Sequence, residues 1–225
     1  MGIPLAPSSV WAILRRHGFD PSPGRRGPTW REFLKVRASS MMACDFFTVD
    51  TVLLRRLYVL LFIELDTRKV FVTGVTAYPA GAWVVQQARN LSLELTDRSG
   101  PVKFLIRDRD TKFTAGFDEV CRSEGTRIIR TPARAPRPNA FAERFVGTVR
   151  QECLDRMLIV NRHHLEAVLR EFVDHYNGHR PHRSLGQRPP LPNVVVPREP
   201  GIVEPSRLRR AARLGRLIHE CRLVA

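Results

Sequence analysis

The stretch Leu57–Leu65, LYVLLFIEL, constrains this chain more than any other, because only Glu64 interrupts its apolar run. It is far too short to span a bilayer, which takes about 20 apolar residues. It is also too continuous for a strand with one face in water, where apolar and polar residues alternate. The pattern predicts a strand covered on both faces, which places it inside an α/β sheet.

The neighbouring segments supply that sheet. Met41–Val49 is apolar and rich in aromatic and β-branched residues, Asp66–Lys69 reads as a turn, and Val70–Thr76 as the next strand. Three consecutive antiparallel strands result. Ala80–Leu95 follows as a helix with Trp83, Val84, Ala88, Leu91 and Leu95 on its apolar side. Val102–Ile106 is a fourth strand, Phe113–Ser123 a second helix and Thr126–Ile129 a fifth strand. The order βββαβαβ, followed by helices, is mixed α/β. Its crossover helices set strands four and five parallel to the first.

The flanks read differently. Val10–His17 predicts a short helix stopped by Gly18, and Pro21–Pro28 a basic, turn-rich linker. Thr29 stands as an N-cap before a second short helix, Trp30–Ala38. Thr131–Pro138 cannot be regular helix; Asn139 is placed to cap a helix running to about Met157, and Arg162–Tyr176 predicts another. Proline-rich loops occupy Pro181–Pro200, and Arg207–Leu223 is basic and amphipathic, with Leu208, Leu214, Leu217 and Ile218 on one side. The expected organisation is a short helical region with a basic linker over 1–40, a core over 41–190 and a basic extension over 191–225.

Charge narrows the partner. Lys and Arg number 37 against 22 Asp and Glu, a net +15 with a pI near 11.1. Such an excess points to a polyanion, most often nucleic acid, though composition leaves a ribosome-associated or membrane-surface protein open. Cys44, Cys121, Cys153 and Cys221 form no CxxC pair. That argues against a zinc finger and against a disulfide framework, and fits reduced thiols in the cytosol. No charged region followed by a long apolar one marks a secretory signal. The expectation is a soluble, cytoplasmic protein with no membrane partner.

Three carboxylates carry the chemistry. Asp45 lies inside the first apolar strand between Cys44 and Phe46. A charge there is costly unless it is paired or binds metal. A strand-edge aspartate bonded to a lysine or arginine is the competing reading. Asp108 follows the fourth strand in IRDRDTKF, at the carboxyl end where α/β sheets place ligands. Asp110 competes with it, as a cap for the next helix. Glu143 stands one turn into the helix after the proline-rich loop and shares a face with Gly147 and Arg150, while Ala142, Val146, Val149 and Cys153 make the apolar side. Three carboxylates form an oxygen-only site suited to magnesium or manganese. Two such ions roughly 3.5–4 Å apart serve an in-line phosphoryl displacement. Arg107, Arg109, Arg144 and Arg150, with Lys112, are candidate phosphate contacts.

Together these residues resemble the integrase catalytic domain of bacterial insertion-sequence transposases, related to retroviral integrases. The resemblance covers roughly 41–190, through ACDFFTVD, IRDRDTKF, NAFAERFVGTVRQECLD and YNGHRPHRSLGQRPP. It implies a ribonuclease-H-like fold, a mixed five-stranded sheet flanked by helices. It also implies an Asp45, Asp108, Glu143 triad holding two Mg2+ (or Mn2+) ions, with no other small-molecule cofactor. The 34 residues between Asp108 and Glu143 fall in the family's range, and the 32 from Asp110 fit worse. Tyr176, Asn177, Arg180, Pro181 and His182 match the family's signature after the glutamate helix. By resemblance they pack behind the active site, with Asn177, Arg180 and His182 helping to position DNA.

Three departures stand out. Arg150 occupies a position where many relatives have lysine, keeping the charge but changing its geometry. His163 and His164 have no matching cysteines, so the zinc module of retroviral integrases is absent. Forty-four residues precede Asp45, and they resemble the junction after a helix-turn-helix region, as in a truncated gene, a fragment or one of two frames. The function implied is metal-dependent cleavage at transposon ends and joining to target DNA, by a homo-oligomer that brings two ends together. Two rivals remain. One is a ribonuclease-H-like nuclease or resolvase that does not join, with Glu64 or Asp66 as a fourth carboxylate. The other is a remnant that binds DNA through charge alone.

Overall fold

Strand β1 (Met41–Asp50) pairs antiparallel with β2 (Arg56–Glu64), and β2 pairs antiparallel with β3 (Val70–Thr76). β4 (Phe104–Arg107) lies parallel to β1, and β5 (Arg127–Arg130) parallel to β4. The sheet order is therefore β3-β2-β1-β4-β5, the mixed five-stranded arrangement expected. The computed structural model describes residues 6–18, 30–96, 98, 100–131, 139–191 and 208–223. The expected linker Pro21–Pro28, the Thr29 cap and most of Thr131–Pro138 lie outside them.

Both faces of β2 are covered, as its continuous apolar run requires. Leu60, Leu61, Phe62 and Ile63 are all essentially inaccessible. Strand side chains alternate between faces, and the two faces have different covers. On one, Met42, Cys44, Leu60, Phe62 and Leu105 meet Val84, Ala88 and Leu91 of α3 (Gly81–Glu94), and Phe117 and Cys121 of α4 (Ala115–Ser123). On the other, α5 (Ala140–Glu152) covers β1 and β2, and α6 (Arg162–Gly178) covers β3. Ala142, Phe145 and Val149 of α5 are buried there, the apolar side read from the sequence. Gly74 lets α3 approach β3, because a Cβ at that position would stand 2.5 Å from Gln87 Oε1 and 2.8 Å from the Trp83 ring.

Several boundaries differ from expectation. α5 stops at Glu152, and a single 3-10 turn at Leu154–Arg156 fills the rest of the span to Met157. Asn139 occupies the N-cap position of α5 without making a side-chain cap bond; its amide donates to the Cys44 carbonyl at 3.3 Å instead. Asn161 is the residue that caps as a cap should, accepting from His164 N at 2.9 Å at the start of α6.

Within the basic stretch Arg207–Leu223, the described residues 208–223 form a hairpin rather than one amphipathic face. β6 (Leu208–Arg213) pairs antiparallel with β7 (Ile218–Leu223) around a turn in which Leu214, Gly215 and Arg216 all have positive φ. Leu214 is buried, and its N–H donates to Glu171 of α6 at 2.9 Å. A short, weakly apolar segment leaves its period to tertiary docking, and here the docking on α6 selects the turn.

The first of the chain's two units ends at Arg37. It contains α1 (Pro7–Arg16), with Pro at its start and positive-φ Gly18 just past its end, and α2 (Trp30–Arg37).

Candidate active site

Register places the first two carboxylates side by side. In the parallel β1/β4 pair, Ala43 stands opposite Ile106. Two residues on, with the same parity, Asp45 and Asp108 project to the same face, the one α5 covers. Asp45 is only partly exposed, and its Oδ1 accepts from Phe46 N–H at 2.8 Å.

Asp108 and Asp110 divide their work. Asp108 lies just past β4, and its Oδ1 accepts from Asp110 N–H at 3.0 Å. Asp110 accepts from Lys112 N–H at 2.9 Å and forms an ion pair with the Lys112 ammonium. The competitor is thus a turn residue neutralised by its own lysine, while no lysine or arginine ion pair holds Asp108 among the described residues.

Glu143 lies in the first turn of α5 and is exposed. The helix is tied to β1 on either side of Asp45, by Asn139 to Cys44 O and by Arg150 Nη2 to Thr48 O at 2.6 Å. The open side of Gly147, with nothing near its position, leaves the Glu143 face unobstructed.

Electrostatics joins the three. The Asp45 pKa is pushed up to about 7, first by burial, with the negative charges of Asp108, Glu143 and Asp110 adding to it against the pull of Phe46 N–H. A carboxyl facing two others and lacking a cationic partner of its own suits a hard divalent ion, which prefers oxygen donors. The three are nevertheless open rather than drawn tight. Among the described residues, the one group of three metal-capable side chains with ligand atoms within 4.8 Å is His175, His179 and Glu220. That group lies on α6 and β7, and it was not anticipated from sequence.

The expected DNA contacts separate into surface and interior residues. Arg107 is a correction. Alternation turns it to the α4 side, where it is 3% exposed and bound to Asp118 through Nε and Nη2 at 3.0 and 2.8 Å. Burial raises the Asp118 carboxyl, but the Arg107 and Arg130 guanidiniums outweigh it and hold the pKa below the ordinary value. Asn177 is a second correction: its amide accepts from Val70 N–H at 2.9 Å and donates to Val70 O at 2.8 Å, so both ends are spent on β3. Arg180 pairs with Glu152 at 2.6 Å, and His182 packs edge-on against Tyr176 at 4.8 Å. Tyr176 in turn meets Phe145 of α5 at 5.0 Å, so this motif braces α5 from behind Glu143. Arg109, whose Nε bonds Thr131 O at 3.1 Å, and Arg144 are exposed; Lys112 and Arg150 are half-buried at the edges of the site.

Residues 124–190 match the family model described as Integrase core domain. That span contains Glu143 and the Tyr176–His182 motif. Over this stretch, under a third of its length, the chain is similar to the integrase core domain.

Two curated relatives come from insertion elements. The IS476 uncharacterized 39.2 kDa protein of Xanthomonas euvesicatoria is 29% identical over 185 residues, covering 76% of this chain and 52% of that protein. The IS407 uncharacterized 31.7 kDa protein of Burkholderia multivorans is 30% identical over 92 residues, covering 40% of this chain and 33% of that protein. The chain thus spans about half the length of the first relative and less of the second. Among solved structures, a chain of the simian T-cell lymphotropic virus intasome in complex with PP2A regulatory subunit B56 gamma aligns with a TM-score of 0.53 at 16% identity. The alignment covers 74% of this chain and 58% of that one. At that identity the likeness speaks to fold, and the five-stranded mixed sheet is the ribonuclease-H-like fold of integrase catalytic cores. Among the described residues, no helix is long and apolar enough to cross a membrane.

Proposed function

We propose that this integrase core performs metal-dependent DNA strand cleavage and strand transfer during transposition of an insertion element. Asp45, Asp108 and Glu143 are its catalytic carboxylates. The observation that carries the reading is Asp45: a half-buried carboxyl raised to about 7 beside Asp108 and Glu143, on one face of two parallel strands and under α5.

Two Mg2+ or Mn2+ ions held by these carboxylates would activate the attacking oxygen and stabilise the leaving one. The chain's own residues do the rest. Asp45 sits in β1 and Asp108 just past β4, two residues beyond the Ala43–Ile106 pair that joins these strands, and Glu143 approaches from α5. Arg144 and Arg109 stand at the surface where phosphate oxygens would pass, and Arg150 anchors α5 while keeping positive charge at its edge. Water serves as the first nucleophile and the freed 3′ hydroxyl as the second, so no serine or tyrosine nucleophile is needed. Bringing two element ends together calls for self-association.

The non-joining nuclease reading loses support at Glu64, one of its two candidates for a fourth carboxylate. Glu64 pairs with Arg98 at 2.9 Å and accepts from Thr67, and its partner Met42 in the β1/β2 register belongs to the α3 side of the sheet.

The test is cleavage and joining on labelled oligonucleotides carrying the element's terminal repeat, with Mg2+ or Mn2+. The wild-type chain should nick and join, and Asp108→Asn and Glu143→Gln, shown to be folded, should do neither. Equal activity in all three would overturn the triad. Folded, DNA-binding protein without activity in any of them would favour the non-catalytic reading.

A further inference from the structure

α6 presents two histidines one turn apart. His179 N–H donates to His175 O at 2.8 Å, so helical spacing persists past the last residue of α6. The two imidazoles stack with centroids 6.2 Å apart and planes within 4° of parallel. From β7, Glu220 reaches the same place. Its Oε1 lies 3.2 Å from His175 Nδ1 and 3.3 Å from His179 Nδ1. All three ligand atoms fall within 4.8 Å of one another, and the Glu220 side chain is 1% exposed.

These lengths have a specific meaning. A tetrahedral ion with arms of about 2.0–2.1 Å sets its ligand atoms about 3.3–3.4 Å apart. The two N···O edges, at 3.2 and 3.3 Å, lie at or just under that length, as hydrogen-bonded pairs that an ion would replace. Arg213 Nε stands 3.3 Å from the other carboxylate oxygen, Oε2, which keeps Oε1 turned toward the histidines. The hairpin also reaches α6 by contacts of its own, through buried Leu214 and its bond to Glu171, so the carboxylate is delivered rather than left to find the site.

We propose that His175, His179 and Glu220 form a binding site for a divalent transition-metal ion of the zinc class, which fastens the C-terminal hairpin to α6. Two imidazoles and one carboxylate suit zinc or cobalt better than magnesium, which prefers oxygen donors. The site is therefore separate from the Asp45 triad in both place and chemistry. It is also not the zinc module of retroviral integrases, because it uses no cysteine.

The test uses the full chain with Asp45→Asn, Asp108→Asn and Glu143→Gln in place, so that the triad does not contribute. The chelator-stripped protein is titrated with Co2+, followed by its visible absorption, and then with Zn2+. One equivalent of Co2+ should bind with a tetrahedral spectrum, be displaced by Zn2+, and be indifferent to excess Mg2+. His175→Gln and His179→Gln should each weaken binding by more than about tenfold. Hydrogen exchange should show Zn2+ protecting residues 208–223 in the chain with His175 and His179 intact and not in His179→Gln. Absence of stoichiometric Co2+ binding while the three residues are intact and the chain is folded overturns the site, as does undiminished binding in both histidine variants.

Discussion

At the scale of single residues, Asp45 is the position where folding and chemistry pull against each other. An aspartate in the unfolded chain has a pKa of about 3.9, and burial with its carboxylate neighbours raises it to about 7 in the fold. The folded pKa is the higher one, so protonation of Asp45 favours the folded state. That contribution is fully present below about pH 4 and is lost as pH rises through about 7. In a chelating buffer, denaturant melts should therefore show wild-type stability falling across this window relative to Asp45→Asn. Mg2+ at pH 8 should stabilise the wild type more than the variant. Parallel stability–pH curves would remove the claim that Asp45 is a strained carboxyl awaiting a cation. The last residue of β4 tells a complementary story. Arg107 and Asp108 are adjacent in sequence, yet alternation sends one into an ion pair with α4 and the other to the candidate site.

At the scale of elements, α6 is held to the sheet by an amide. Asn177 closes a two-bond clamp on the backbone of Val70 and is 8% exposed. Removing that amide leaves the buried Val70 N–H and C=O without partners, at about 1–3 kcal/mol for each orphaned group. Asn177→Ala should accordingly lower the denaturation midpoint, while DNA affinity per folded molecule stays unchanged in filter binding. A normal melting curve with weakened DNA binding would reverse the correction and return Asn177 to the DNA surface. The resemblance located this asparagine in a signature, but a signature does not say whether a side chain faces a ligand or a strand. Beside it, Tyr176 and Phe172 of α6 pack on Phe145 of α5, and so join α6 to the helix that carries Glu143.

At the scale of the whole molecule, a net charge of +15 makes salt the controlling variable for any nucleic-acid partner. The steepness of log affinity against log salt counts phosphate contacts. Arg144→Ala should reduce that slope by about 1 and leave thermal stability alone, because Arg144 is exposed on the Glu143 side of α5. Arg107→Ala should do the reverse, costing about 1.5–3 kcal/mol as Asp118 loses its bidentate partner and keeps only Arg130 and Arg122, with the slope of the folded fraction preserved. If both variants behave alike, the division of basic residues into surface contacts and interior braces fails.

What local patterning determined is considerable. The apolar run at Leu57–Leu65, the alternation around it and the crossover spacing specified a mixed five-stranded sheet, because a strand covered on both faces admits few topologies. Carboxylates at a strand interior, a strand end and a helix start were visible for the same reason: each sits at a recognisable place in a local pattern. Only the tertiary structure separated Arg107 and Asn177 from the surface arginines, since burial depends on which element lies opposite. It alone turned Leu208–Leu223 into a hairpin, where sparse leucines among arginines left the period undecided. The pairing of His175 and His179 with Glu220 was equally beyond sequence. The histidine spacing of one helical turn could be read there, but a ligand 41 residues further on comes within 3.3 Å only when the hairpin docks against α6.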